Sequence, residues 1–191
     1  MQRISKSTLV FALSALVIVS LTRFIPHWPN FTALGAVAIF SGAVLSKNKL
    51  LSFSLPIVLL FLTDLVVNNL IYGSFYEGFV WLTPGALFIY GGFISMIFFA
   101  DIIASNKSVG RVAGATGAGT ISFFLITNFG AWLANPLYPK SIEGLMSSYA
   151  AGLPFLASSA AANVVYSALL FGAYFYAQTK IPKLQEVRVK S

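Results

Sequence analysis

Long apolar runs with very few charged side chains between them restrict the fold of this sequence more than any other feature. Only 9% of its 191 residues are charged, against about 25% in a typical soluble domain, so a soluble fold could not cover its surface. A helix needs about 20 apolar residues to cross about 30 Å of hydrocarbon. We therefore predict an all-α integral membrane protein in which residues 1–191 form a single transmembrane domain. Its six predicted transmembrane helices span about 8–25, 31–46, 50–71, 79–100, 111–134 and 155–178.

The first two spans each have another interpretation. Arg3 and Lys6 precede a short apolar run, as in a secretory signal, but no A-x-A-like cleavage site follows and further apolar spans come after. We therefore expect the first span to be retained. Residues 31–46 are short and rich in small side chains. If that segment were re-entrant, the chain would cross the membrane five times.

The distribution of basic residues favours six crossings with both termini cytoplasmic. On that topology only Arg23 and Lys140 lie outside, and a bias of this kind over short loops is the positive-inside pattern. The net charge of +7 then records orientation, and we expect no nucleic-acid partner. Ten basic residues fall on the cytoplasmic side: Arg3, Lys6, Lys47, Lys49, Lys107, Arg111, Lys180, Lys183, Arg188 and Lys190.

Polar side chains inside three of the spans lie at a similar depth. At 1.5 Å per residue, Asp64, Asn128 and Asn163 all fall in the outer half of their spans. Such groups usually face the interior of a bundle, and a few convergent polar groups among apolar walls are typical of a small-molecule pocket. We predict ligand binding by Asp64, Asn68, Asn128, Asn163 and Tyr166, enclosed by Trp28, Trp81 and Trp132 at the outer ends of the spans.

These polar groups also admit other roles. Asparagines can form interhelical hydrogen bonds of about 0.6–2 kcal/mol each that only stabilise the bundle. Asp64, the one acid well inside a span, must be neutral, paired with Arg23 or His27, or matched by a group on a ligand. The long outer connection 135–154 contains a mildly amphipathic stretch near 142–149. That stretch is predicted to be an interfacial helix or a lid over the site.

Small residues form two further patterns. Ala33 and Ala36 lie in the second span, and Gly110 and Gly114 form a GxxxG at the start of the fifth. Small residues allow helices to approach closely. They either pack within the chain or form a docking surface for a partner helix of another membrane subunit.

The sequence lacks the patterns that catalysis and metal binding require. It contains no cysteine, and its single histidine, His27, lies in a loop without further ligands nearby. No GxSxG or GxxxxGK[ST] motif occurs, and Asp64 and Asp101 lie at opposite depths, too far apart for a carboxylate pair. We expect no enzyme, no metal site and no cofactor.

Four segments carry a resemblance to a known family: 29–36 (PNFTALGA), 64–65 (DL), 127–133 (TNFGAWL) and 137–139 (LYP). Over residues 20–178 they are similar to recurring motifs of an uncharacterised bacterial family of six-helix membrane proteins. The predicted topology and outward pocket also resemble the substrate-binding S components of energy-coupling-factor (ECF) transporters. In S components the vitamin or metal site lies near the outer face, and a small-residue helix face packs on a transmembrane coupling subunit driven by two ATPases. The resemblance implies that Asp64, Asn128 and Trp132 lie at the site.

We therefore expect an S-component-like bundle in the bacterial cytoplasmic (inner) membrane, a substrate-binding subunit for uptake of a small vitamin-like or precursor molecule. Its expected partners are the small-molecule substrate, the lipid bilayer, and a transmembrane coupling subunit with its ATPases. The alternative is a non-transporting structural membrane subunit of an envelope complex, in which the polar groups serve only packing.

Overall fold

All regular secondary structure in the described residues is helical. The computed structural model describes residues 4–103, 106–181 and 184. A 3-10 turn, Thr22–Phe24, and a π-helical turn, Val67–Ile71, extend the first and third helices. The prediction of an all-α chain with six helices is confirmed. The helices are α1 (Lys6–Leu21), α2 (Leu34–Val44), α3 (Lys49–Val66), α4 (Ala86–Ile102), α5 (Val109–Ala134) and α6 (Ile142–Lys180).

Within the part of the chain that the structure describes, four helical segments are long and apolar enough to cross a membrane, which indicates a membrane protein. They are Lys6–Phe24, Lys49–Ile71, Val109–Ala134 and Ile142–Lys180. The 17 residues of α4 extend about 25 Å, and the 11 residues of α2 extend only about 16 Å. The helix within the predicted span 31–46 is therefore too short to cross the hydrocarbon by itself.

The short helix α2 is the centre of the bundle. Every residue from Leu34 to Val44 is buried, and α2 packs against α1, α3, α4, α5 and α6. A helix that is apolar on all sides belongs in a core. Two hydrogen bonds join α2 to α3. The Ser41 hydroxyl donates to the Ser52 carbonyl (2.9 Å), and the Ser52 hydroxyl donates to the Ser41 carbonyl (3.3 Å).

This burial decides between the two roles of the small residues in the second span. Ala33 and Ala36 have no exposed surface, so the prediction that they dock a partner helix is wrong; they pack within the chain. Gly110 and Gly114 are exposed on α5, with nothing against them.

Two helices begin seven or more residues away from the predicted start. Helix α4 begins at Ala86 rather than 79, because Pro84 disfavours helical geometry in the residue before it. Helix α6 joins the predicted stretch 142–149 and the predicted span 155–178 into one helix of 39 residues, about 58 Å long. Its first turns are held along α5, since the Ser148 hydroxyl donates to the Asn128 carbonyl (2.8 Å) and the Tyr149 hydroxyl to the Leu125 carbonyl (3.0 Å).

An ion pair marks one end of the bundle. Lys49 at the start of α3 pairs with Asp101 near the end of α4, so these two helix ends lie together, as alternating helix directions require. Four of the basic residues used to predict orientation, Arg3, Lys183, Arg188 and Lys190, lie outside the described residues.

Candidate functional site

An open cavity of about 650 Å³ lies among α3, α4, α5 and α6, toward the ends of α3 and α5. This volume is within the usual range for small-molecule sites, about 300–1,000 Å³. Leu60, Ile89, Phe93 and Phe123 contribute to its apolar walls. The four predicted hydrogen-bonding residues line this one cavity: Asp64, Asn68, Asn128 and Asn163. The structure thus brings them together, and their role in ligand binding stays a prediction.

The charged part of the cavity is a single ion pair. Arg23, in the 3-10 turn after α1, places Nη1 2.6 Å from Oδ1 of Asp64 and also donates to the hydroxyl of Thr63 (2.9 Å). The two charged side chains are 17% and 18% exposed. Of the three alternatives for Asp64, pairing with Arg23 is the one observed. Arg23 and Asp64 are the charged residues of the lining, so the part of the wall that the structure describes carries no net charge.

Asn68 has a buried side chain on the wall of the cavity. It is 8% exposed and lies in the π-helical turn Val67–Ile71, a geometry that is frequent at functional sites. Its amide forms no hydrogen bond with any of the described residues and is not sealed from solvent, so it is open to the cavity. Asn68 therefore offers a donor and an acceptor to a ligand.

In the neighbouring Asn69, both polar atoms of the side-chain amide form hydrogen bonds within the protein. Its amide group donates to the carbonyls of Leu65 and Val80 (2.9 Å each), and its Oδ1 accepts from the Val80 N–H (2.7 Å). These bonds fix the connection between α3 and α4 against the end of α3. The two adjacent asparagines thus have different environments.

Asn128 and Asn163 each lie against a glycine of another helix. A Cβ atom at Gly152 would lie 2.3 Å from Oδ1 of Asn128, and one at Gly35 would lie 2.1 Å from Oδ1 of Asn163. Only glycine allows this approach. The Asn163 amide donates to the Thr120 hydroxyl (2.9 Å), an interhelical bond of the kind that stabilises a bundle.

Trp28, Trp81 and Tyr166, predicted to enclose or bind a ligand, do not line the cavity. Trp28 is 78% exposed, Trp81 is also exposed, and Tyr166 packs on Phe31 with ring centroids 6.1 Å apart. The prediction that they surround this cavity is therefore wrong, although Trp28 lines a second groove beside it. Aromatic residues at the ends of membrane helices are favoured at the interface with water, which requires no inward direction.

Trp132 also lies outside the cavity lining and organises the connection between α5 and α6. Its indole N–H donates to the Pro139 carbonyl (2.8 Å), and the ammonium group of Lys140 lies 5.9 Å from its ring centroid. Lys140 donates in turn to carbonyls at the end of α5. These contacts position the connection that contributes Tyr138 to the cavity.

Several lining residues were not predicted. Tyr72, Tyr76 and Thr83 come from the connection between α3 and α4, and Tyr138 from the connection between α5 and α6. Their only sequence signal is the concentration of aromatic residues in these connections. Within the described residues, no three His, Cys, Asp or Glu side chains lie close enough together to hold a metal ion.

A helical bundle with four segments able to cross a membrane, and a partly polar cavity among its helices, is a membrane protein with a candidate small-molecule site. Residues 2–184 match a family of unknown function, DUF6580. The chain belongs to this family, and the prediction of an uncharacterised family is confirmed. No curated protein and no solved structure matches the chain.

Proposed function

We propose that the chain binds a small uncharged molecule in the cavity, as the substrate-binding membrane subunit of an uptake system. The observation that carries this proposal is Asn68, a largely buried residue whose amide is open to the cavity and has no hydrogen-bond partner among the described residues. A ligand that fills the cavity covers this amide, and leaving it covered without a partner would cost about 1–3 kcal/mol. The site therefore favours a ligand that hydrogen-bonds to Asn68.

The charges of the lining favour an uncharged polar group on the ligand. Arg23 and Asp64 already neutralise each other, so an ionic ligand would bring a charge without a counter-ion. The guanidinium and carboxylate groups still have hydrogen-bonding capacity beyond their mutual contact. A group with adjacent donor and acceptor atoms, such as an amide or a ring lactam, fits these partners, and Phe93 and Phe123 offer apolar contact beside them.

The membrane arrangement is part of the same proposal. In the proposed topology the short helix α2 crosses together with its flanking residues in 31–46, and six crossings with both termini cytoplasmic put the cavity in the outer half of the bilayer. There it takes a vitamin-like or precursor molecule from outside. Uptake then resembles that of S components, with a transmembrane coupling subunit and ATPases as partners. The positive-inside pattern of the basic residues supports this orientation.

Substitution of Asn68 separates ligand binding from packing. Asn68→Leu removes an amide that has no hydrogen-bond partner among the described residues, so no internal hydrogen bond is lost and we expect nearly unchanged thermal stability of the empty protein. We also expect about tenfold less co-purifying small molecule, since one lost hydrogen bond is worth about 1.4 kcal/mol. Native mass spectrometry and thermal unfolding of the full chain in mild detergent measure these two quantities.

Asn69→Leu is the matched control, because it changes the adjacent residue in the same way. It leaves the N–H and carbonyl of Val80 without their partner, so we expect lower thermal stability and ligand occupancy that follows only the folded fraction. If no small molecule co-purifies and Asn68→Leu destabilises the protein as Asn69→Leu does, the proposal fails. The structural membrane subunit would then account better for the polar groups.

A further inference from the structure

A second, apolar groove of about 440 Å³ lies beside the cavity, between the connection 25–33 and α6. Its walls include Trp28, Phe31, Phe155, Ala157 and Ala161. The one hydroxyl among its lining residues, that of Ser158, already donates to the Pro29 carbonyl (2.7 Å). The groove therefore suits an apolar group, with the indole N–H of Trp28 at its edge as the remaining side-chain donor among the described lining residues.

The partition between groove and cavity is thin. Phe155 lines both spaces and is 46% exposed. Beside it, two hydrogen bonds join α6 to the connection 25–33. The Ser158 hydroxyl donates to the Pro29 carbonyl (2.7 Å), and the Ser159 hydroxyl donates to the Asn30 carbonyl (3.4 Å). Ser158 faces the groove and Ser159 faces the cavity. Phe155 is thus the residue that the two linings share.

The position of the groove along α6 places it near one edge of the hydrocarbon. Ala161 precedes the end of α6 at Lys180 by a distance of about 29 Å, close to the thickness of the hydrocarbon layer. Trp28 on the groove wall is largely exposed, as is usual for tryptophan at the membrane interface. The groove thus faces the level where lipid chains meet their headgroups.

We propose that the groove binds the apolar chain of an amphiphilic ligand whose uncharged polar end occupies the cavity. This inference rests on the proposed function and narrows the substrate class to molecules with one uncharged polar end and one apolar chain. The polar end contacts Asn68 and the Arg23–Asp64 pair. The chain passes Phe155 and lies against Trp28 and Ala161.

Photocrosslinking tests this inference with a monoacylglycerol that carries a diazirine in its acyl chain, added to the full chain in lipid nanodiscs. We expect labelled peptides to cover 28–31 and 154–161. Ala161→Trp fills the groove and should lower this labelling about tenfold, because the chain loses its contacts. Ala168→Trp is the matched control, since Ala168 is exposed on the same helix and lines neither space; labelling should not change. Asn68→Leu should also lower labelling of these peptides.

Each other outcome has a definite meaning. Labelling that is spread over the exposed helix faces and does not respond to Ala161→Trp overturns the inference. So does labelling that falls with Ala161→Trp but not with Asn68→Leu, because the chain is then held independently of the cavity. A third outcome is a co-purifying molecule that has no apolar chain. If its binding is lost in Asn68→Leu but unchanged in Ala161→Trp, the inference is overturned and the proposed function stays intact.

Discussion

Gly42→Ala is expected to lower the free energy of unfolding by about 3 kcal/mol, at the upper end of the effect of overpacking a core. A Cβ atom at this position would lie 2.5 Å from the carbonyl oxygen of Ile97 and 2.8 Å from the Cβ of Ala100. These atoms belong to, or are attached directly to, the backbone of α4, so they cannot rotate away. Helix α2 is buried on all sides and has no free direction in which to move. Thermal unfolding in mild detergent measures the loss.

Gly172→Ala is the control for this substitution. It also replaces a helical glycine, but a Cβ at this position meets nothing within 4 Å. Because alanine favours a helix over glycine by about 1 kcal/mol, we expect equal or higher thermal stability. Equal losses in the two variants would show that the contact between α2 and α4 is not the reason for the glycine at position 42.

The number and order of the helices could be predicted because each helix lies in a separate apolar run. The central position of α2 could not, since a run of small and apolar residues is compatible with a membrane span and with a core helix. The continuity of α6 was missed for another reason. It depends on contacts such as Ser148 with Asn128, which join residues far apart in sequence and have no local signal.

The cavity was partly predictable from depth alone. A rise of 1.5 Å per residue puts Asp64, Asn128 and Asn163 at one level, and all three line the cavity. Depth does not determine the direction of a side chain, and this explains why Trp132 was assigned to the site although its N–H bonds to Pro139. Tyr72 and Tyr138 lie in connections, where helical periodicity gives no information.

The ion pair leads to the second large expected effect. Asp64→Leu removes the carboxylate 2.6 Å from Arg23 and leaves a guanidinium with little exposed surface and no counter-ion on the described cavity wall. Breaking a buried ion pair from one side costs about 3–5 kcal/mol. We expect about 3 kcal/mol, because both side chains retain some exposure. Arg23→Met should have a similar cost, since it leaves the carboxylate unpaired.

The double variant separates stability from binding. Replacing both partners of a buried ion pair by apolar side chains of similar volume is often neutral, so Arg23→Met with Asp64→Leu should recover most of the stability that either single substitution loses. It should not recover ligand occupancy, because both polar partners are gone from the cavity wall. Thermal unfolding of the four proteins gives the coupling between the residues, and native mass spectrometry gives the occupancy. A double variant no more stable than the single ones would show that Arg23 and Asp64 do not compensate each other. The cavity wall would then not be neutralised by this pair, and an uncharged ligand would no longer be favoured.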